Sequence, residues 1–360
     1  MDTTRYYIAF NRVNGIGPAR LDRLIAACGS IEAAWHAPLR DLVAAGLEPR
    51  LAQALCEQRA SLDLDAELEH LARSGISAVS RENPAYPAAL ATIPAAPPLI
   101  YVRGRLSDVD SWAVAIVGTR SPTSYGRDVA RRLATDLAAA GVTIVSGLAI
   151  GIDALAHEAA LEAGGRTIAV LACGVDLIYP ERHTTLAARI RTAGAVVSEF
   201  PIGLKPMPQL FPVRNRLISG LARGVLVVEA DYASGALITV DYALDQGRDV
   251  FAVPGSIFSP KSNGPNQLIR NGAALVSSAA DILDALDLTR STSQREIQTA
   301  LPDGPVEAGI LALLSHEPRH IDELRRMLDT PVAEVSAALT LLELKGLVRQ
   351  HAAMQYVIAR

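Results

Sequence analysis

Residues 144–157 read Ile-Val-Ser-Gly-Leu-Ala-Ile-Gly-Ile-Asp-Ala-Leu-Ala-His: an apolar strand, a tight Ser146-Gly147 turn and the start of a helix. Such a turn aims backbone N–H groups and a hydroxyl from the positive end of the helix dipole, which suits an anion without any basic side chain. A second segment, 113–120, closes its strand in Gly118-Thr119-Arg120, and Ser234-Gly235 opens a further helix in the same style. A third, Phe211-Pro-Val-Arg214-Asn215-Arg216, sets two guanidiniums beside an aromatic ring. Guanidinium forks match phosphate oxygens, and an aromatic face stacks on an unpaired base. Phosphate plus base means a nucleotide or a nucleic acid.

Other constellations are weaker. Asp153 and His157 lie four apart on one helical face and could serve as an acid–base pair. Equally, Asp153 suits the helix dipole while His157 packs or hydrogen-bonds, and no obvious nucleophile accompanies them. Glu229, just before Asp231, carries the same two readings. Phe211 could simply be buried, but aromatics make up only 4 % of the chain, and its place before Pro212 and the Arg214-Asn215-Arg216 cluster favours stacking. His316-Glu-Pro-Arg-His320 matches a zinc-protease spacing, yet Pro318 keeps the two histidines off a shared helical face. No GxGxxG follows the first central strand and no GxxxxGK[ST] occurs, so neither a standard dinucleotide site nor a Walker ATPase is supported. Cys28, Cys56 and Cys173 form no CxxC pair. No cofactor and no metal is expected.

These turns need a scaffold. From Trp112 to Leu286, apolar strands at 113–117, 142–145, 167–171, 195–197, 225–229, 249–253 and 274–276 alternate with helices at 124–140, 151–164, 184–193, 213–222, 235–246 and 278–286. Alternation of this kind predicts an α/β fold, a doubly wound, mostly parallel Rossmann-like sheet binding ligands beyond the carboxyl ends of its strands. Each Gly-rich turn falls at such an end. Residues 1–75 read as short helices, with Gly15 and Gly17 in a hairpin before Pro18; it resembles a helix-hairpin-helix, or is a compact helical turn. A strand at 76–79, a proline-rich connector over 83–98 and a strand at 99–103 bring residues 76–287 into one sheet domain. Residues 288–304 read as a polar linker. Helices at 305–315, 320–328 and 331–345 and two short strands then describe a winged helix over 305–360. Its third helix, rich in Leu and Glu, suits a structural or protein-contact role better than a DNA groove.

Composition bounds the partner. The net charge of −4 over 360 residues excludes a protein coated in positive charge, so a polyanion must meet a local cluster. Lys205, Lys261 and Lys345 are the only lysines; the other basic residues are Arg. No apolar run approaches membrane-spanning length and no signal-like start is present, which predicts a soluble cytoplasmic protein without membrane contact.

Taken in order, Gly118-Thr-Arg120, Ser146-Gly-Leu-Ala-Ile-Gly-Ile-Asp153 with Ala156-His157, Tyr179-Pro180, Ser198-Glu199, Phe211-Pro-Val-Arg-Asn-Arg216, Glu229-Ala230 with Ser234-Gly235, and Phe251-Ala-Val-Pro-Gly-Ser256 resemble the DNA-processing protein A (DprA, or Smf) family over about residues 80–280. That resemblance implies an extended Rossmann fold between an N-terminal helical (SAM or helix-hairpin-helix-like) domain and a winged helix. It implies a non-enzymatic homodimer that binds and protects single-stranded DNA in natural transformation and loads RecA recombinase. Mapped here, the DNA groups are Arg120, Ser146, Gly147, Phe211, Arg214, Asn215 and Arg216, with Gly118, Thr119, Lys205, Ser234 and Gly235 as further candidates. Some relatives carry a lysine near the Phe-Pro-x-Arg-Asn or Tyr-Pro motif; Lys205 and Arg182 are what this chain offers there. The expected dimer surface lies in 264–276 around Leu268 and Ile269, whereas Leu275 and Val276 could instead close the monomer core. The alternative is an enzyme, a Rossmann-like nucleoside-monophosphate phosphoribohydrolase. Its Pro-Gly-Gly-x-Gly-Thr signature is replaced here by Tyr232-Ala-Ser-Gly-Ala-Leu.

Overall fold

Short runs of β-branched and small apolar residues make nine strands: β1 (Ser77–Ser80), β2 (Leu99–Gly104), β3 (Ala113–Val117), β4 (Thr143–Ser146), β5 (Thr167–Val170), β6 (Ala195–Ser198), β7 (Gly224–Val227), β8 (Asp249–Ala252) and β9 (Ala274–Leu275). They lie in one sheet of order β1-β2-β6-β5-β4-β3-β7-β8-β9. Pairing is antiparallel at β1/β2 and β2/β6 and parallel elsewhere. Every residue of β3 to β7 is buried, which is why these strands read as continuous apolar runs rather than alternating ones. The computed structural model describes residues 3–286, 304–314, 318–344, 347–352 and 354–358. Its two compact units are 1–286 and 287–360.

From β3 the sheet grows through β4 and β5 to β6, then the chain returns to place β7 on the other side of β3. A crevice opens where the winding reverses, beyond the carboxyl ends of β3 and β7. On one face of the sheet, helices between Thr4 and Arg73 pack Tyr7, Phe10, Leu24 and Trp35 into a core shared with Tyr101, Ala169 and Val196. Gly15, at φ +94°, turns the chain between the first two of these helices, and Arg20 Nη1 donates to its carbonyl at 2.7 Å. The other face meets Leu217 and Ile218 of the helix Leu210–Gly220 and Val240 and Ala243 of the helix Gly235–Asp245. The helix Leu210–Gly220 begins three residues before the expected start at 213, because proline is accepted in a first turn.

Considered by itself, the C-terminal unit has helices Pro305–Leu313, Ile321–Leu328 and Val332–Leu344. They pack Ile310, Leu324, Val335, Leu339 and Leu342 together. Its three-stranded sheet adds Arg319–His320 to the two expected strands, Val348–Ala352 and Gln355–Ile358. A two-residue strand is too short for any periodicity to reveal. Most of the 288–304 linker, and His316 and Glu317 of the zinc-protease-like spacing, lie outside the described residues. Among the described residues no helix is long and apolar enough to cross a membrane.

Candidate functional site

The crevice at the β3/β7 reversal is a cleft of about 510 Å³. Gly118, Thr119 and Arg120 line it after β3, and Asp231, Ser234 and Gly235 after β7; Phe211, Arg214, Asn215 and Ile218 enter from the helix Leu210–Gly220. The turn after β3 is braced rather than loose. Thr119 N donates to the Glu229 carbonyl at 2.7 Å. The buried Glu229 carboxylate accepts from Thr123 N at 2.9 Å and from the Thr123 hydroxyl. Gly118 has no room for a side chain: a Cβ there would sit 2.7 Å from Ile152 Cγ1 and 2.9 Å from the Glu229 carbonyl.

The Ser146-Gly147 turn differs from its sequence reading. Ser146 is fully buried and its hydroxyl donates to the Ile116 carbonyl at 2.7 Å. Gly147 N and Ala149 N donate to Asp153 Oδ2 at 3.1 and 3.3 Å, and Ile152 N donates to the Thr119 carbonyl at 3.2 Å. These amides are therefore already paired, those of Gly147 and Ala149 with the Asp153 carboxyl and that of Ile152 with a backbone carbonyl, rather than open to an outside anion. Burial pushes the Asp153 pKa up, while the Arg214 charge and the two amides pull it back. His157 is buried on the same helix with Nδ1 2.6 Å from the Thr167 hydroxyl.

The two arginines of the 211–216 segment have different surroundings. Arg214 is buried; its Nη1 donates to the carbonyls of Gly147, at 2.7 Å, and Val170, and its Nε to Asn215 Oδ1 at 3.2 Å. Burial lowers its pKa to about 10, so it remains a cation at neutral pH in the cleft wall. Asn215 Nδ2 donates to the Gly235 carbonyl at 3.2 Å, tying two helices together. Arg216 is buried too, but it pairs with Glu199 and does not line the cleft, in place of the expected phosphate.

Phe211 stands at the mouth. The guanidinium carbons of Arg120 and Arg214 lie 5.7 and 6.0 Å from its ring centroid, within cation–π range. The Tyr179 ring lies 5.7 Å away, tilted by 59°. Tyr179 was not among the expected contacts, although the Tyr179-Pro180 motif was the signal for it. Asp231, Ile218, Ile238 and Thr239 also line the cleft, and helical periodicity alone does not single them out. Ser234 caps its helix by accepting from Ala236 N at 3.4 Å. Lys205 is exposed on the segment before the helix Leu210–Gly220 and does not line the cleft.

The expected dimer surface is also rearranged. Leu268 packs onto the sheet core and Ile269 is half-buried. Val276 is buried, but Leu275, on the two-residue edge strand β9, is 51 % exposed. Val276, just past the strand, donates its N–H to the Ala252 carbonyl at 3.0 Å.

Comparison with known proteins agrees with this architecture. Protein Smf of Synechocystis is 36 % identical over 98 % of both chains. The X-ray structure of DNA processing protein A from Streptococcus pneumoniae is 36 % identical and superposes with a TM-score of 0.68, covering 79 % of this chain and 98 % of that one. The Helicobacter pylori DNA processing protein A, solved to explain its single-stranded DNA binding mode, is 30 % identical with a TM-score of 0.53 over 59 % of this chain and 95 % of that one. Residues 294–354 match the DprA winged helix domain. Residues 77–287 match the family described as DNA recombination-mediator protein A, and the chain belongs to that family.

Proposed function

We propose that this protein binds single-stranded DNA at the β3/β7 cleft without acting on it chemically, in DNA processing that leads to recombination. The observation that carries this reading is the Phe211 ring, held beside the exposed Arg120, the buried Arg214 and the Tyr179 ring. Stackable faces combined with fixed cations suit an unpaired base and its phosphate, and every base has such a face. Arg120, Phe211, Arg214 and Asn215 are the proposed contacts, supported by Gly118, Thr119, Ser234 and Gly235. Ser146, Gly147 and Arg216 act one step back, as the packing that fixes them. A homologue studied for its single-stranded DNA binding supports the ligand.

The finer parts of the proposal are protection of the strand, handover to RecA recombinase during natural transformation, and work as a cytoplasmic homodimer. The exposed Leu275 on edge strand β9 favours the dimer, because an open sheet edge invites pairing with another chain. The carboxylates at and beside the cleft do not favour a hydrolase: Asp153 caps its own turn, Asp231 accepts from Tyr232 N and Asn263 Nδ2, and Glu229 braces Thr123. Titrating labelled oligo-dT, and separately incubating the protein with nucleoside monophosphates, tests this. Tight strand binding with no released base is expected; base release without strand binding would overturn it.

A further inference from the structure

Among the described residues four aromatic side chains are exposed: Tyr125, Tyr179, Tyr232 and Phe258, at 46, 49, 65 and 90 %. All four lie beyond the carboxyl ends of sheet strands, Tyr179 after β5, Tyr125 after β3, Tyr232 after β7 and Phe258 after β8. In sheet order these strands run β5-β4-β3-β7-β8, a span of ~19 Å at the usual strand spacing. Ile257, 81 % exposed, extends the apolar tip at Phe258. Soluble proteins rarely leave such groups uncovered along one edge unless something docks there.

The far side of this row is held in place. The Tyr125 hydroxyl donates to the Pro254 carbonyl at 2.7 Å, and Lys261 Nζ donates to the Ser121 carbonyl. Ala230 N donates to the Lys261 carbonyl at 2.8 Å. The loops after β3, β7 and β8 thus form one tied rim. Tyr232 sits between Asp231 and Ala233, both of which line the cleft, so the rim is continuous with it.

We propose that Tyr125, Tyr232 and Phe258 form a second base-stacking station, which takes the same DNA single strand after it passes the Phe211–Tyr179 pair. This rests on the single-strand reading above and adds a path: the DNA runs across the carboxyl edge, perpendicular to the sheet strands. Aromatic faces on loops to either side of the cleft strands β3 and β7 are what selects bases over another occupant. At the ~3.4 Å rise of a stacked strand the row covers about six nucleotides, fewer if the strand is stretched.

The test is a length series with the Tyr232→Ala/Phe258→Ala double variant, whose exposed positions leave the thermal midpoint at the wild-type value. Affinity for labelled dT12 is expected to fall about tenfold or more, while dT3, measured by competition, binds as to wild type. Phe211→Ala weakens both lengths. A double variant that binds dT12 like wild type while Phe211→Ala is impaired overturns the second station and spares the cleft. So does a double variant that changes only the oligomer mass by light scattering, because the row is then a protein contact. Wild-type protein that binds neither strand overturns the single-strand reading itself.

Discussion

The Arg214 guanidinium fills the space that a side chain at residue 147 would need: a Cβ on Gly147 would lie 2.6 Å from Arg214 Nη2. Arg214 Nη1 in turn donates to the Gly147 carbonyl at 2.7 Å. The Ser146-Gly147 turn therefore serves the cleft by seating a buried cation, not by presenting its amides. Gly147→Ala is expected to push the guanidinium off its carbonyls. Loss of a hydrogen bond to a charged group costs about 1.5–3 kcal/mol. Urea unfolding should show that loss together with weakened single-strand binding; an unchanged midpoint and affinity would refute the seat.

Arg120 separates binding from folding. It is exposed over Phe211, so Arg120→Ala should shift stability by no more than about 0.5 kcal/mol. The log–log salt slope for single strands should shrink by about 0.7, one phosphate contact. Binding isotherms at several salt concentrations decide this, and an unchanged slope places the phosphate elsewhere.

Arg216 should behave in the opposite way. Arg216→Met leaves Glu199 buried without its cation, which costs about 3–5 kcal/mol. Burial already pushes the Glu199 carboxyl up to about 7 from 4.5 despite Arg216. Its native form holds a proton more tightly than the unfolded chain, so its contribution is full below pH 4.5 and is lost as pH rises through about 7. The deficit of the variant should accordingly be largest above neutrality and shrink on acidification. Denaturation midpoints across pH would show it, and the salt slope of DNA binding should not move.

His157 sets an acid limit of opposite sign. The Thr167 hydroxyl donates to the Ile144 carbonyl at 2.7 Å, which leaves its oxygen to accept from His157 Nδ1. Burial lowers its pKa to about 3 from 6.5. The unfolded chain takes up that proton first, so stability is lost as pH falls from about 6.5 toward 3, by up to about 1.4 kcal/mol per pH unit. Comparing urea midpoints of wild type and His157→Gln between pH 4 and 7 isolates this from Glu199. Parallel pH profiles would contradict the buried neutral histidine.

The sheet was legible because its strands are buried on both faces and separated by helical periodicity, and the winding reversal placed the Gly118-Thr119-Arg120 turn at the crevice without further help. What was illegible depended on partners brought together by folding. Whether the Gly147 amide was free depended on the Asp153 carboxylate folding back onto it. Whether Arg214 or Arg216 faced the cleft depended on where Glu199, at the end of β6, met the helix Leu210–Gly220. Tyr179 and Phe211 are 32 positions apart in the chain (211 − 179), so only the topology makes them neighbours.

The most direct test of the account is an anisotropy titration of a labelled single strand and a blunt duplex of equal length, using wild type and Phe211→Ala. Wild type should prefer the single strand. Phe211→Ala should weaken single-strand binding about tenfold or more, with an unchanged salt slope, because a stacked base is lost and no phosphate contact is. Equal wild-type affinity for strand and duplex, or single-strand binding untouched by Phe211→Ala, would contradict it.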